Sequence, residues 1–191
     1  GFSIGFDGST DLKYAKIVAD HIKSDHTEIK LDVEDIPKNL SDIIYATETF
    51  DITTVRASTG MYLLSKYISQ YTKDIVILSG EGADEVFGGY LYFHDAPTKD
   101  DFNKECFRLI KNLPYFDVLR ADRCTASHGL ELRVPFLDYQ FVEYILSIPC
   151  QHRTPQCGYE KYILRETFET YLPSEIVWRR KEGFSDGVGS V

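Results

Sequence analysis

Asp74-Ile75-Val76-Ile77-Leu78-Ser79-Gly80-Glu81-Gly82-Ala83-Asp84-Glu85-Val86-Phe87-Gly88-Gly89-Tyr90 is the stretch whose reading decides the fold class. Four consecutive large apolar residues, Ile75 to Leu78, predict a strand buried on both faces, the pattern of a parallel sheet. The chain then turns abruptly to Ser, Gly and acid. Glycines on either side of Glu81 allow a tight turn and close approach of a ligand to the backbone. Asp84 and Glu85 fall at the start of a short predicted helix. Ligands of parallel sheets sit beyond the carboxyl ends of the strands, where this turn would lie. Glu81, Asp84 and Glu85 would suit a hard cation such as Mg²⁺ and the anion it carries. The plainer reading is that acids in a first helical turn only cap amides and offset the helix dipole.

Upstream, residues 2–6 read as a short strand. Thr10 is placed to cap a helix over 11–23, and residues 26–31 alternate as a second strand. Strand, helix and strand in so short a span make a βαβ unit and imply a parallel sheet. A helix is expected over 33–48, with Pro37 in its first turn, where proline is tolerated. Phe50-Asp51-Ile52 breaks it, and Thr53 or Thr54 begins a long helix to Gln70. After Tyr90 the alternation ends. Residues 91–97 read as an aromatic loop, and helices are expected over 100–111, 114–127, 139–146 and 160–171. Residues 133–138 read as an extended connector, because a residue before proline avoids the helical region. The expected division is an α/β sheet part over 1–90 and a mainly helical part over 91–191.

Composition narrows the function. Thirty acidic against 21 basic residues give a net charge of −9, which disfavours nucleic acid as a partner. No apolar run approaches the roughly 20 residues that cross a bilayer, so no membrane partner is expected. Cys106, Cys124, Cys150 and Cys157 form no zinc-type spacing and read as free thiols of a reducing, cytoplasmic setting. The chain opens on Gly1 inside an apolar run and stops at Gly189-Ser190-Val191. Both ends read as cut, and a longer polypeptide is expected.

Further groups could carry chemistry. Asp117 and Arg120 stand three apart on one helix face with Cys124, the spacing of a surface ion pair or of a binding pair. Lys181 lies in the densest basic cluster of an acidic chain, suited to a helix C-terminus or to a departing phosphate. Thr53, Thr54 and Arg56 in a first helical turn would make an anion site, or Thr53 a simple cap. His94 and His128 have no partner at ligand spacing and read as structural.

Taken in order, Ser79-Gly80-Glu81-Gly82-Ala83-Asp84-Glu85, Arg133-Val134-Pro135-Phe136-Leu137-Asp138 and Lys181-Glu182-Gly183-Phe184-Ser185-Asp186-Gly187 resemble the synthetase domain of glutamine-dependent asparagine synthetases. Thr53-Thr54-Val55-Arg56-Ala57-Ser58-Thr59 and Leu119-Arg120-Ala121-Asp122-Arg123 fit the same pattern. The resemblance runs through essentially the whole chain and is closer to the eukaryotic style over 119–138.

The resemblance implies an α/β fold with a parallel sheet of the ATP-pyrophosphatase (adenine nucleotide α-hydrolase-like) type, followed by a helical C-terminal half. It implies asparagine biosynthesis: ATP activates aspartate to β-aspartyl-AMP with release of pyrophosphate, and ammonia, from glutamine in the full enzyme, displaces AMP. By the same resemblance Ile4, Ser79 and Gly80 would bind ATP, and Asp84 would hold Mg²⁺ and pyrophosphate. Glu81, Lys181 and Arg56 would be catalytic, while Thr53, Asp117 and Arg120 would line the substrate. It further implies a glutaminase domain in the same polypeptide and allows a homodimer. The family's Ser-Gly-Gly-x-Asp-Ser phosphate loop and the cysteine that begins its glutaminase domain are not among these residues, so the chain by itself is expected to be inactive. The competing expectations are a non-catalytic relative or interaction domain, another acyl-adenylating enzyme such as a β-lactam-forming synthetase, and simple cation binding by the acidic turn.

Overall fold

A computed structural model describes residues 1–189. Ser190 and Val191, part of the C-terminus that reads as cut, lie outside the described residues. In chain order the elements are β1 (Phe2–Gly5), α1 (Thr10–Ile22), β2 (Thr27–Lys30), α2 (Asp35–Thr47), α3 (Ile52–Tyr71) and β3 (Val76–Leu78). Then come α4 (Ala83–Phe87), a 3₁₀ turn at Leu91–Asp95, α5 (Lys99–Asn112), a 3₁₀ turn at Leu113–Tyr115, α6 (Asp117–Ala126) and β4 (Glu131–Arg133). A 3₁₀ turn at Pro135–Leu137 precedes α7 (Tyr139–Ser147), α8 (Cys150–Arg153), α9 (Tyr162–Phe168), α10 (Ser174–Val177) and α11 (Phe184–Gly187). The architecture is mixed α/β, mostly helical, with small parallel sheets. Among the described residues no helix is long and apolar enough to cross a membrane.

The chain divides into two compact units. The first comprises Gly1–Ile77, Leu119–Leu132 and, of the described residues, 182–189. Here β1, α1 and β2 form the expected βαβ unit, with the strands parallel and in register from Phe2 opposite Thr27 to Gly5 opposite Lys30. Ile4, Ile43, Tyr62, Leu63, Cys124 and Val188 form the core, and Ile29, Val55 and Leu64 pack against it. This core explains why α2 and α3 carry their apolar residues at helical spacing.

The second unit comprises Leu78–Val118 and Arg133–Lys181. Val86 and Phe87 of α4 are buried with Ile145, and Phe136, Leu137, Phe141 and Ile163 close around them. A second cluster joins Phe93, Phe102 and Cys106.

Several expectations need correction. The run at Ile75–Leu78 is not buried on both faces, since Ile75 is 62% and Leu78 73% exposed. The strand pairs along one edge with β4, where the Glu131 amide donates to the Ile75 carbonyl (2.7 Å) and the Ser79 amide to the Arg133 carbonyl (2.9 Å). That partner strand was itself unexpected, because three residues of alternating exposure carry almost no periodicity. Residues 133–138 are not an extended connector but the end of β4 followed by a 3₁₀ turn. The expected helix over 114–127 is broken at Phe116, whose φ of −129° and ψ of −104° leave the helical region. The 91–97 segment is a 3₁₀ turn for most of its length. The helix expected from residue 160 begins only at Tyr162, after Lys161 takes a left-handed backbone, and stops at Phe168.

Helix starts differ as well. Thr10 is not a cap; its hydroxyl donates to Glu182 at 2.5 Å. Asp51, not Thr53 or Thr54, caps α3, taking the Thr54 amide at 2.8 Å and its hydroxyl at 2.9 Å. A carboxylate outcompetes a hydroxyl for these amides because its acceptor is charged.

All four cysteines are free, as expected. Burial pushes the Cys106 and Cys124 thiols up to about 11, whereas Cys157 is exposed. Only the thiolate is nucleophilic. Mild alkylation at pH 8 should therefore modify Cys157 first and spare Cys106 and Cys124 until denaturant is added, which peptide mass mapping would show.

Candidate functional site

The second unit holds a polar cluster built on α4. Gly82 delivers the helix with φ of +90°, a left-handed backbone that glycine adopts without strain. A Cβ there would stand 2.2 Å from Leu137, so the acidic turn packs directly onto the 3₁₀ turn at Pro135–Leu137. Two of the sequence motifs thus meet within one unit. Val86 and Phe87 anchor α4 in the apolar cluster, which fixes the position of Asp84 in its first turn.

The Asp84 carboxylate is shared by two lysines. Lys161 Nζ donates to Oδ1 at 2.6 Å and Lys181 Nζ to Oδ2 at 2.7 Å. The three side chains are only 18–22% exposed. Burial by itself would push the Asp84 carboxyl up, but the charges and hydrogen bonds of the two lysines outweigh it and hold it below the usual carboxylate range. Gly89 makes room for this carboxylate, because a Cβ there would fall 2.0 Å from Asp84 Oδ1.

Tyr90 and Glu85 flank the cluster. The Tyr90 hydroxyl donates to the Glu85 carboxylate, and the Tyr90 ring lies 5.9 Å from Lys181 Nζ. Glu85 is 3% exposed. Its burial raises its carboxyl despite the Tyr90 hydrogen bond, and the Asp84 and Asp117 charges act in the same direction. Burial, then the Glu85 charge, raises the Tyr90 phenol far above its ordinary value.

The predicted residues fall in both units. Ser79, Gly80, Glu81, Asp84, Asp117 and Lys181 belong to the second. The Glu81 amide donates to Ser79 Oγ at 3.4 Å, and a Cβ on Gly80 would meet nothing within 4 Å, so this rim of the turn is open. Ile4, Thr53, Arg56 and Arg120 belong to the first. Ile4 lies in its core, 2% exposed, and Thr53 is exposed in the first turn of α3. Arg56 pairs with Asp186 at 2.6 Å, both side chains open to solvent. An anion reaching that turn would meet the Asp51 carboxylate and would have to draw Arg56 from Asp186. Arg120 is buried, which removes the reading of a solvated surface ion pair.

The first unit also contains a cavity of about 800 Å³ lined in part by Asp42, Tyr45, Glu48, Phe50, Asp122 and Arg123. None of the predicted site residues lines it. Its acids outnumber a single arginine that is already bonded to the Thr47 carbonyl and to Glu48 at 3.0 Å, so it does not suit an anion. The polar cluster on α4 is the stronger chemical candidate.

Lys161 and Tyr90 were missed by sequence reasoning. Tyr90 closes the quoted motif and could have been found there. Lys161 carries no local signal, since its approach to Asp84 spans 77 residues of chain.

Among the described residues no three His, Cys, Asp or Glu side chains gather as a metal cage. What the cluster can do is present two ammonium groups, oriented by one carboxylate and largely withdrawn from water, to an anionic ligand.

The structure is that of a mixed α/β protein in which two lysines distant in sequence converge on the acid of a strand–turn–helix segment. The chain belongs to the asparagine synthase family, whose model matches residues 1–104 and 95–191. It is 55% identical over 192 aligned residues to the glutamine-hydrolysing asparagine synthetase of Homo sapiens, and equally so to those of Rattus norvegicus and Gallus gallus. Each alignment takes in 100% of this chain and 34% of the relative, so the chain spans about a third of the length of the curated relatives it matches.

Two stability effects should follow in the polypeptide that carries these residues. Asp84→Asn leaves the two ammonium groups uncompensated and should cost about 3 kcal/mol at pH 7, read by urea unfolding. Because the folded state depresses the Asp84 carboxyl, its contribution is complete above the ordinary aspartate value near 3.9 and lost as pH falls through the folded value. The gap between wild type and variant should accordingly close below about pH 4. Tyr90→Phe removes the donor to buried Glu85 and should cost about 1–3 kcal/mol in the same measurement.

Proposed function

We propose that these residues form part of the synthetase domain of a glutamine-dependent asparagine synthetase, with the ATP-pyrophosphatase type of α/β fold. The observation that carries this reading is the Lys161–Asp84–Lys181 cluster beside the open Ser79–Gly80 rim. Family membership and the parallel βαβ unit support it.

In the reaction an oxygen of the aspartate β-carboxylate attacks the α-phosphorus of ATP. The bond from that phosphorus to the bridging oxygen breaks, and its electron pair leaves with pyrophosphate. Ammonia then attacks the acyl carbon of β-aspartyl-AMP, AMP departs, and the new amide sheds a proton. Phosphoryl transfer of this kind depends mainly on positioning and on stabilising charge. Lys181 takes up negative charge on the leaving pyrophosphate. Ser79 and Gly80 bind the nucleotide through hydroxyl and backbone, and Ile4 is a further ATP-binding residue. Glu81, on the rim, orients the acyl-adenylate for attack by ammonia. Thr53 and Arg56 contribute on the phosphate side, and Asp117 and Arg120 on the aspartate side.

Asp84 would hold Mg²⁺ together with phosphate oxygens once the two ammonium groups that occupy its oxygens turn to the phosphates. Bound there, it would neutralise phosphate charge. The rest of the longer polypeptide would supply the phosphate loop, which cradles the β- and γ-phosphates, and the glutaminase domain that releases ammonia. A cytoplasmic location and a homodimer belong to the same proposal.

Aspartate-dependent exchange of labelled pyrophosphate into ATP by the full-length polypeptide is the direct test. Exchange should require aspartate, be absent from residues 1–191 alone, and fall about 100-fold or more in Lys181→Ala. No aspartate-dependent exchange by the full-length polypeptide would sink the reading.

A further inference from the structure

We propose that the cavity of the first unit is a docking groove for an arginine- or lysine-bearing segment of a separate protein, anchored on Tyr45 and Phe50. The proposal is independent of the adenylating reaction, since no residue assigned to that reaction lines the cavity.

Three observations carry it. The first is charge. Asp42, Glu48 and Asp122 line the cavity against one cation, Arg123. That arginine is already engaged, donating to the Thr47 carbonyl and pairing with Glu48 at 3.0 Å. Among the described residues Asp42 and Asp122 are left without an ion pair. The field of Asp42 reaches across the cavity: burial first, and then the Asp42 charge, raises the Tyr62 phenol. Two unmatched carboxylates on one concave surface call for a cationic occupant.

The second observation is the aromatic lining. Tyr45 and Phe50 are each 87% exposed, whereas Tyr62 is 8% exposed. The Tyr62 ring meets the His128 ring edge-on, with centroids 4.5 Å apart. The cavity therefore runs from an open aromatic rim to a buried aromatic floor. Ring faces attract a guanidinium or an ammonium group. The long stem of an arginine or lysine covers apolar surface while its head stays with the carboxylates. One side chain of this type satisfies both halves of the lining.

The third observation is rigidity. Phe50 stands on the connection between α2 and α3, and that connection is tied on both sides. Before it, Glu48 takes a left-handed backbone, with φ of 52° and ψ of 34°, and is held there by Arg123. After it, the Asp51 amide donates to Thr49 Oγ1 at 3.1 Å, and the Asp51 carboxylate takes the Thr54 amide. A large apolar ring is thus held in water by an ordered backbone. Docking onto it requires little further ordering, and such rings are the usual anchors of interfaces.

The shape and charge also select among occupants. A small-molecule site buries most of its ligand, which a rim as open as Tyr45 and Phe50 does not do. A second copy of this chain would bring another net charge of −9 to an acidic groove. A basic segment meets neither objection.

The test uses the full-length polypeptide and a fluorescent synthetic peptide of alternating arginine and leucine, with binding read by anisotropy. Hydroxyl-radical footprinting of the polypeptide alone should find Tyr45 and Phe50 reactive, and added peptide should protect them. Phe50→Ala should weaken binding about tenfold, and Asp122→Asn about threefold or more. Both positions are exposed, so the thermal unfolding midpoint should stay in place. Glu28→Gln, which removes one exposed charge outside the cavity, should leave binding unchanged. A peptide with neutral citrulline for arginine should bind at least tenfold more weakly. Equal losses in Glu28→Gln and Asp122→Asn, or equal binding of the citrulline peptide, would overturn the proposal. So would Tyr45 and Phe50 already protected in the polypeptide alone: protection that persists on dilution would give the groove to its own chain, and protection lost on dilution to a second copy.

Discussion

A helix of five residues cannot hold its own place in water, because nucleating a turn costs more than so few hydrogen bonds return. The position of α4 is instead set by burial. Val86 and Phe87 enter the apolar cluster of the second unit, and Gly82 lets the preceding turn press onto Leu137. Everything chemical in that unit depends on this seating. Asp84 meets the lysines because Val86 and Phe87 fix its helix in place, and Gly88-Gly89 return the chain closely enough for Tyr90 to reach Glu85. The polar cluster is arranged by an apolar one.

Much of this could be read from residues alone. The βαβ unit appeared as alternation and helical spacing, and the βαβ pairing is parallel as expected. The Ser79–Glu85 turn announced itself by its glycines and acids, and Lys181 by its basic surroundings. Placing Asp84 and Lys181 together, 97 residues apart, came only through the family pattern, since no local rule joins them.

What escaped the reading has physical reasons. Lys161 enters the site through tertiary structure, from a short segment without periodicity. The capping of α3 went to Asp51 because the charged acceptor outcompetes the hydroxyls beside it. Thr10 was drawn away from its own helix by Glu182. The strand at β3 shows a subtler gap. Four apolar residues in a row report that a strand is built for burial, but hydrophobicity does not say which part of a polypeptide does the burying.

That last feature has a practical side. Ile75, Val76 and Leu78 present apolar side chains to water on a short strand, and Phe50 and Ile52 are exposed as well. Uncovered strands rich in branched residues are templates for pairing with other chains. With these surfaces bare, residues 1–191 handled alone would be sticky, and a net charge of −9 would be the main force keeping the molecules apart. Salt screens that repulsion. The colloidal behaviour of the isolated piece is therefore governed by ionic strength, for a reason that has nothing to do with its chemistry.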